Sequence, residues 1–246
     1  SADDLAAVVR DVAIIILMLP NSQIVDQVTS AAGFRDGLRP GVTVVDMGSS
    51  EPLATRALAE DLAAVGVALV DAPVSGGVRG AVNGTLTIMT GGPDDDVDRV
   101  LPVLQNLGRV VRTGPVGSGH AVKALNNLLS ATHLWATSEA MVVGARFGVD
   151  PHIMLDVLNG SSGRSGSTEN KWPNFILPGT FDSGFGLRLM LKDMRIANDL
   201  ATELGVPSEL GEFAARRWAE AAHELPTSAD HTEIARWIAD RVPAHM

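Results

Sequence analysis

Between positions 12 and 19 the chain reads Val-Ala-Ile-Ile-Ile-Leu-Met-Leu, with no polar residue to mark a solvent face. A strand apolar on both faces belongs in the interior of a parallel sheet covered by helices. Pro20-Asn21-Ser22 stops it, and a helical fragment at 3–10 precedes it. The alternation then repeats: a helix near 24–32, a strand at 43–47 after the Arg39-Pro40-Gly41 turn, a helix at about 52–65 and a strand at 68–72. Such alternation with short connections predicts right-handed βαβ crossovers and a parallel sheet. From 85 to 90, Thr-Leu-Thr-Ile-Met-Thr alternates polar and apolar before Gly91-Gly92-Pro93, the pattern of an antiparallel edge strand. A helix at 94–108, opening on Pro93 and acidic residues suited to its positive end, and a short strand at 109–113 complete this half.

After Gly114 the strand signal disappears. Val122, Leu125, Leu128, Leu129, Leu134, Trp135, Met141 and Val142 recur at three- and four-residue spacing, predicting one long, largely buried helix to 147 with Gly148 as its C-terminal cap. Asp150-Pro151 is an N-cap followed by a first-turn proline, and helices follow at about 151–158, 186–204, 208–224 and 230–241. Residues 159–167, Asn-Gly-Ser-Ser-Gly-Arg-Ser-Gly-Ser, read as a long loop. The predicted fold is α/β: a parallel-sheet domain at 1–115, then an all-helical domain at 116–246 joined through the long helix.

At 246 residues the chain is long enough for these two cores. With 19 basic residues against 29 acidic ones and a net charge of −10, nucleic acid is excluded as a partner. There is no cysteine, hence no disulfide framework and no thiolate chemistry. The apolar run at 12–19 is too short to span a bilayer, and no cationic segment precedes it, so the expectation is a soluble cytoplasmic protein without a membrane partner.

Few residues stand out chemically. Ser75-Gly76-Gly77 follows the third strand; glycine N–H groups and a serine hydroxyl there suit a carboxylate or phosphate, although an isolated Ser-Gly-Gly is more often an ordinary turn. Lys123 and Asn127 lie four apart on the long helix and share a face. A partly desolvated lysine there suits proton transfer and the amide suits orienting an oxygen; the bland alternative is a lysine snorkelling to water. His120 precedes Lys123 by one turn and is a chance neighbour on frequency alone. Lys192-Asp193, within an apolar helical run, reads as a buried or half-buried ion pair. No metal-ligand spacing and no nucleophile elbow occurs.

Taken in order, Met18-Leu-Pro-Asn21, Asp46-Met-Gly-Ser49, Asp71-Ala-Pro-Val-Ser-Gly-Gly77, Gly117-x-Gly-x-x-x-Lys123-x-x-Asn-Asn127 and Leu191-Lys-Asp193 resemble the β-hydroxyacid dehydrogenases. That family includes 3-hydroxyisobutyrate dehydrogenase and tartronate semialdehyde reductase and is akin to 6-phosphogluconate dehydrogenase. The resemblance covers essentially the whole chain. It implies a Rossmann-like dinucleotide-binding domain, here partial, followed by a helical substrate and dimerisation domain. It also implies an oxidoreductase that moves hydride between a small 3-hydroxyacid and NAD or NADP. Ser75, Gly76 and Gly77 would then bind the substrate carboxylate and Lys123 would exchange the hydroxyl proton. Asn127 would position the substrate oxygen, while Leu19, Pro20, Ser49 and Lys192 would face the cofactor. The family commonly has threonine where this chain has Ser49, a departure that keeps the hydroxyl.

The larger departure is that no Gly-x-Gly-x-x-Gly after a strand occurs in the sequence, although the family uses that turn to hold the pyrophosphate. The chain opens in what resembles the region just after it, with about fifty residues expected before it from the two βα units such a half-site needs. Cofactor binding by this chain is therefore the open expectation. The competing readings are a non-catalytic oligomerisation or binding remnant and an imine reductase, the latter disfavoured because those enzymes generally lack a lysine at the position of Lys123. Uncovered apolar surface at 14–19, or the helical half, is expected to drive homo-oligomerisation to a dimer or tetramer.

Overall fold

A computed structural model describes residues 4–243. The chain divides into two compact units, one ending at Ala124 and the other beginning at Leu125.

The first unit is α/β. In chain order it contains α1 (Leu5–Val9), β1 (Ile14–Leu17), α2 (Ser22–Ser30), α3 (Ala32–Gly37), β2 (Thr43–Asp46), α4 (Pro52–Ala63) and β3 (Ala68–Asp71). β4 (Val74–Ser75), α5 (Gly77–Asn83), β5 (Leu86–Gly91), α6 (Asp94–Leu104) and β6 (Gly108–Gly114) follow. The first residue of the expected helix at 3–10 lies outside the described residues. The expected helix near 24–32 is interrupted at Ala31, whose extended backbone separates α2 from α3. β1, β2 and β3 pair in parallel, Ile15 opposite Val44 and Val44 opposite Leu69, so their carboxyl ends align at Leu17, Asp46 and Asp71.

Two strand expectations are corrected. β5 is antiparallel to β3 and β4, as its alternation suggests, but it is not an edge: β6 pairs with it in parallel along its other side. β1 is apolar throughout yet not central; among the described strands it pairs with β2 alone, and Ile16 and Met18 are 44% and 60% exposed. Apolar composition reports what a strand can be covered by, not which strands are beside it. One core, around Ile15, Val44, Leu62 and Leu69, lies beneath α1, α2 and α4, and a second forms around Val45, Val70, Ile88 and Val100.

α7 (Ser118–Phe147) starts in the first unit and continues into the second. The second unit is helical: the rest of α7, α8 (Pro151–Asn159), a π-helix (Ser167–Ile176), α9 (Leu187–Glu203), α10 (Glu209–Glu224), a short 3-10 turn (His231–Glu233) and α11 (Ile234–Ala239). Its core gathers Leu134, Trp135, Met141, Met190, Met194, Trp218 and Ile234. The π-helix is the one element here absent from the sequence expectation, which has a loop running up to Ser167. No helix of the described residues is long and apolar enough to cross a membrane.

Candidate active site

In the first unit the site is built at the carboxyl ends of β1, β2 and β3, where parallel sheets collect ligands. After β1, Leu19 is half-buried and Pro20 exposed, and Asn21 caps α2 by accepting from Ile24 N at 2.9 Å. After β2, the buried carboxylate of Asp46 accepts from Gly48 N at 2.9 Å and from the Ser50 hydroxyl at 2.6 Å, fixing the turn that presents half-buried Ser49. A Cβ on Gly48 would stand 2.7 Å from Leu19 O, so only glycine lets these two loops close on each other. Ser22 Oγ accepts from Glu51 N at 2.6 Å and ties the first loop to the start of α4.

After β3 the chain makes β4 and turns into α5 through Ser75-Gly76-Gly77. Gly76 and Gly77 have φ of +129° and +61°, and a Cβ on Gly77 would point into open space. The turn is thus backbone presented outward beside the half-buried Ser75 hydroxyl, the local shape an anion cradle requires.

Asp71, fully buried at the end of β3, accepts from Gly117 N at 2.7 Å and His120 N at 3.0 Å. These N–H groups belong to the entry and first turn of α7, which have no partners inside the helix itself. Burial raises the pKa of Asp71; the nearby His120 and the two N–H donors oppose that rise. The His120 ring is buried in turn: Nδ1 lies 2.8 Å from Thr55 Oγ1, and Nε2 lies 3.8 Å from Asp46 Oδ2. The Thr55 hydroxyl donates to Glu51 O at 3.0 Å, which leaves its oxygen to accept from His120 Nδ1–H. Gly117 has φ +86°, and a Cβ on Gly119 would lie 2.2 Å from Met89 O. The two glycines of Gly117-x-Gly119 therefore serve the close docking of α7 on the sheet. One turn further along stands Lys123, only 8% exposed.

In the second unit, Asn127 and Asp193 are both buried, and Asn127 Nδ2 donates to Asp193 Oδ2 at 2.6 Å. Asn126 Nδ2 donates to Asn127 Oδ1 at 3.2 Å. A carboxylate only accepts, so the amide orientation is set, and one Nδ2 hydrogen of Asn127 stays available to a ligand oxygen. Lys192 Nζ lies 2.8 Å from Asp193 Oδ1, with a quarter of the Lys192 side chain exposed. Asp193 is thus a shared anchor for two candidate residues.

Asp46, Asp71 and His120 hold the candidates in place, and sequence reasoning gave them no such role. Their signal was weak: two strands ending in aspartate and a histidine one turn before a lysine. Lys171 was missed altogether. Its ammonium, carried by the π-helix, donates to Ser130 Oγ at 2.6 Å and lies 3.4 Å from Ser130 O. Burial pushes its pKa down to about 8, against the pull of Asp230. Among the described residues no group of three or more histidine, cysteine, aspartate or glutamate side chains could hold a metal ion.

Residues 1–117 match the family model described as the NAD binding domain of 6-phosphogluconate dehydrogenase. Residues 117–238 match the one described as NAD-binding of NADP-dependent 3-hydroxyisobutyrate dehydrogenase. The chain is 38% identical to the 2-(hydroxymethyl)glutarate dehydrogenase of Eubacterium barkeri, over 82% of this chain and 67% of that protein. It is 35% identical to the mitochondrial 3-hydroxyisobutyrate dehydrogenase of Mus musculus, over 93% of this chain and 71% of that one. A solved 3-hydroxyisobutyrate dehydrogenase of Mycobacterium tuberculosis with L-serine superposes with a TM-score of 0.90 at 27% identity, covering 96% of this chain and 83% of the other. With matches along both units and relatives of this identity, the chain belongs to the β-hydroxyacid dehydrogenase family of NAD- or NADP-dependent oxidoreductases.

Proposed function

We propose that the protein oxidises or forms a small 3-hydroxyacid whose hydroxyl is carried next to Lys123. The observation that supports this most is the setting of Lys123 itself: a lysine 8% exposed, one helical turn from an asparagine whose amide is pinned by a buried carboxylate. Oxidation of an alcohol requires the hydroxyl proton to leave as the hydride departs, so a base at that oxygen is the group the reaction needs. Lys123 Nζ is that base in oxidation and the acid in reduction. The available Nδ2 hydrogen of Asn127 donates to the same oxygen and directs its lone pair, and Ser75 with the Gly76 and Gly77 backbone receives the substrate carboxylate. The two relatives are named for acids carrying a hydroxymethyl group beside the carboxylate, which makes a primary alcohol the first substrate to try.

When bound, NAD or NADP supplies the hydride exchange. The strand-end loops suit its nicotinamide end: Gly48 lets the backbone at Leu19 approach, and Asp46 holds the turn that offers the Ser49 hydroxyl. Leu19 and Pro20 contribute apolar surface, and in the second unit Lys192, oriented by Asp193, is a further cation for the cofactor.

Lys123→Ala is expected to lower kcat by about two to four orders of magnitude, the usual range for one proton-transfer group. Turnover equal to the parent protein would remove Lys123 from the chemistry. Nicotinamide fluorescence titrated with the chain tests the cofactor side separately; no change at millimolar NAD or NADP would favour a non-catalytic binding module.

A further inference from the structure

Of the 19 basic residues in the chain only three are lysines, Lys123, Lys171 and Lys192; the other sixteen are arginines. Arginine keeps its charge at any physiological pH, whereas lysine gives up its proton readily where its surroundings disfavour the charge. A chain that meets its ordinary need for cations with arginine holds primary amines at very few places. Lys123 and Lys192 belong to the candidate active site. Lys171, on the π-helix Ser167–Ile176 of the second unit, has no part in the reaction proposed there.

The contacts of Lys171 suit a neutral nitrogen as well as a charged one. Its Nζ lies 2.6 Å from Ser130 Oγ and 3.4 Å from Ser130 O. Among the described residues no carboxylate oxygen comes within 4.0 Å of it. Asp230 acts on it through space, and the oxygens of that carboxylate accept from the Ser183 and Thr232 hydroxyls and from Gly184 N, Phe185 N and Thr232 N. A serine hydroxyl both donates and accepts. Ser130 Oγ accepts from the ammonium, and once the proton is gone its O–H donates to the amine lone pair instead, so the contact survives deprotonation.

Burial acts in the same direction, bringing the pKa down to about 8 against the pull of Asp230. At pH 7.5 such an amine is about one quarter neutral, against about one part in a thousand for an ordinary lysine. A less basic nucleophile is intrinsically slower, as thiols show, and that returns part of the gain. Lys171 is partly exposed, so a reagent from solvent reaches it and a group it acquires extends back into water without needing a cavity. Lys192 Nζ, by contrast, is held by Asp193 Oδ1 at 2.8 Å.

We propose that Lys171 is a nucleophilic amine and a site of covalent acylation, taking a small acyl group from an acyl phosphate or an acyl thioester. The free amine attacks the acyl carbonyl carbon and a C–N bond forms. The C–O bond of the acyl phosphate, or the C–S bond of the thioester, breaks with its electron pair on the leaving phosphate or thiolate, and the surplus proton on nitrogen passes to water. The resulting amide is neutral and keeps one N–H to donate to Ser130. A neutral imine formed with an aldehyde keeps none, so the neighbouring acceptors favour acyl donors over aldehydes. The inference stands apart from the hydride chemistry and does not require the cofactor.

The test is the rate of acetylation at each lysine of the full chain, treated with acetyl phosphate or with acetyl coenzyme A and followed by peptide mass spectrometry. With only three lysines, each is resolved, and Lys192 serves as the reference. At pH 7.5 Lys171 is expected to react about tenfold or more faster than Lys192 with at least one donor, and its rate should level off above about pH 8. In concentrated urea the two should react alike. Ser130→Asp, which sets a carboxylate beside the amine and favours its charged form, should slow Lys171 about fivefold or more at pH 7.5 and leave Lys192 unchanged. Equal rates at the two lysines with both donors would overturn the proposal. So would a Lys171 rate that climbs without a break to pH 10, or a selectivity that persists in urea. If Ser130→Asp does not fold, the pH profile of the parent protein carries the test.

Discussion

Asp193 shows how a residue can be visible in sequence and still be misjudged. Next to Lys192 in an apolar run it reads as half of an ion pair, and it is that, at 2.8 Å. Its second partner, Asn127, lies 66 positions away, and no local pattern encodes a hydrogen bond across that separation. Asp193→Ala would take from the buried Asn127 amide its 2.6 Å acceptor and from Lys192 its ion pair at 2.8 Å. We expect a loss of about 2–3 kcal/mol in unfolding free energy by denaturant titration, and a fall in kcat exceeding that of Asp193→Asn, which keeps an acceptor for Asn127. Equal kinetics for the two variants would mean that Asn127 needs no anchoring. Gly119 gives a sharper residue-scale case. Its missing Cβ would sit 2.2 Å from the carbonyl oxygen of Met89, a backbone atom that cannot swing aside. Gly119→Ala should therefore destabilise by about 3 kcal/mol through overpacking; a melting temperature within a degree of the parent would show that α7 can slide on the sheet.

At the scale of elements, legibility followed periodicity. The strands at Thr43–Asp46 and Ala68–Asp71 and the helices at Pro52–Ala63, Leu187–Glu203 and Glu209–Glu224 fall within one to three residues of their expected limits, because each has a clean apolar stripe or run. α5 and β4 were missed because Ser75-Gly76-Gly77 and Gly80 read as loop, while the pairing of Val74 with Ile88 is non-local. The π-helix was missed because its wider turn has no 3.6-residue stripe and its Pro173 argues against any helix. The clasp at Asp230 and His231 is likewise tertiary, pinning the segment Ser183 to Phe185 to the 3-10 turn His231–Glu233 that precedes α11. It has a pH consequence. Burial pushes the His231 pKa down to about 4, the Lys171 charge adds to that, and Asp230 and the Phe185 carbonyl work against it. An unfolded histidine titrates near 6.5, so between these values the unfolded chain binds the extra proton. The stability from neutral His231 is complete above about pH 6.5 and is lost as pH falls through 4. His231→Asn, which keeps a donor for Phe185 O, should flatten the decline of melting temperature between pH 6.5 and 4.5; an unchanged decline would place the acid sensitivity elsewhere. Asp230, held below the usual carboxylate range by Thr232, Ser183 and His231 although burial alone would raise it, adds its loss at still lower pH.

For the whole molecule, the question is what covers the apolar surface that remains. Val143 and Phe147 on α7, and Ile153 and Val157 on α8, are 60–88% exposed. They line a groove of about 760 Å³ together with Ala140, Gly144 and Met154, and among the residues lining it only Glu139 is charged. A Cβ on Gly144 would meet Met154 Sδ at 2.3 Å, so glycine lets α8 lie close against α7 and leaves the groove continuous. Burying four large apolar side chains is worth about 1.5–3 kcal/mol each, counted once for each copy in a self-complementary contact. That is comparable with the 4–15 kcal/mol that association costs in lost freedom. We propose that a second copy of the chain occupies this groove, and expect a dimer or tetramer by light scattering at micromolar concentration. Phe147→Glu, at a position 88% exposed, should not disturb folding but should shift the mass towards the monomer, since a carboxylate in that contact would be desolvated without a partner. A monomeric parent protein would refute the assignment. An oligomer that survives Phe147→Glu would move the contact to another exposed apolar surface, such as Ile16 on β1 and Met18 just after it.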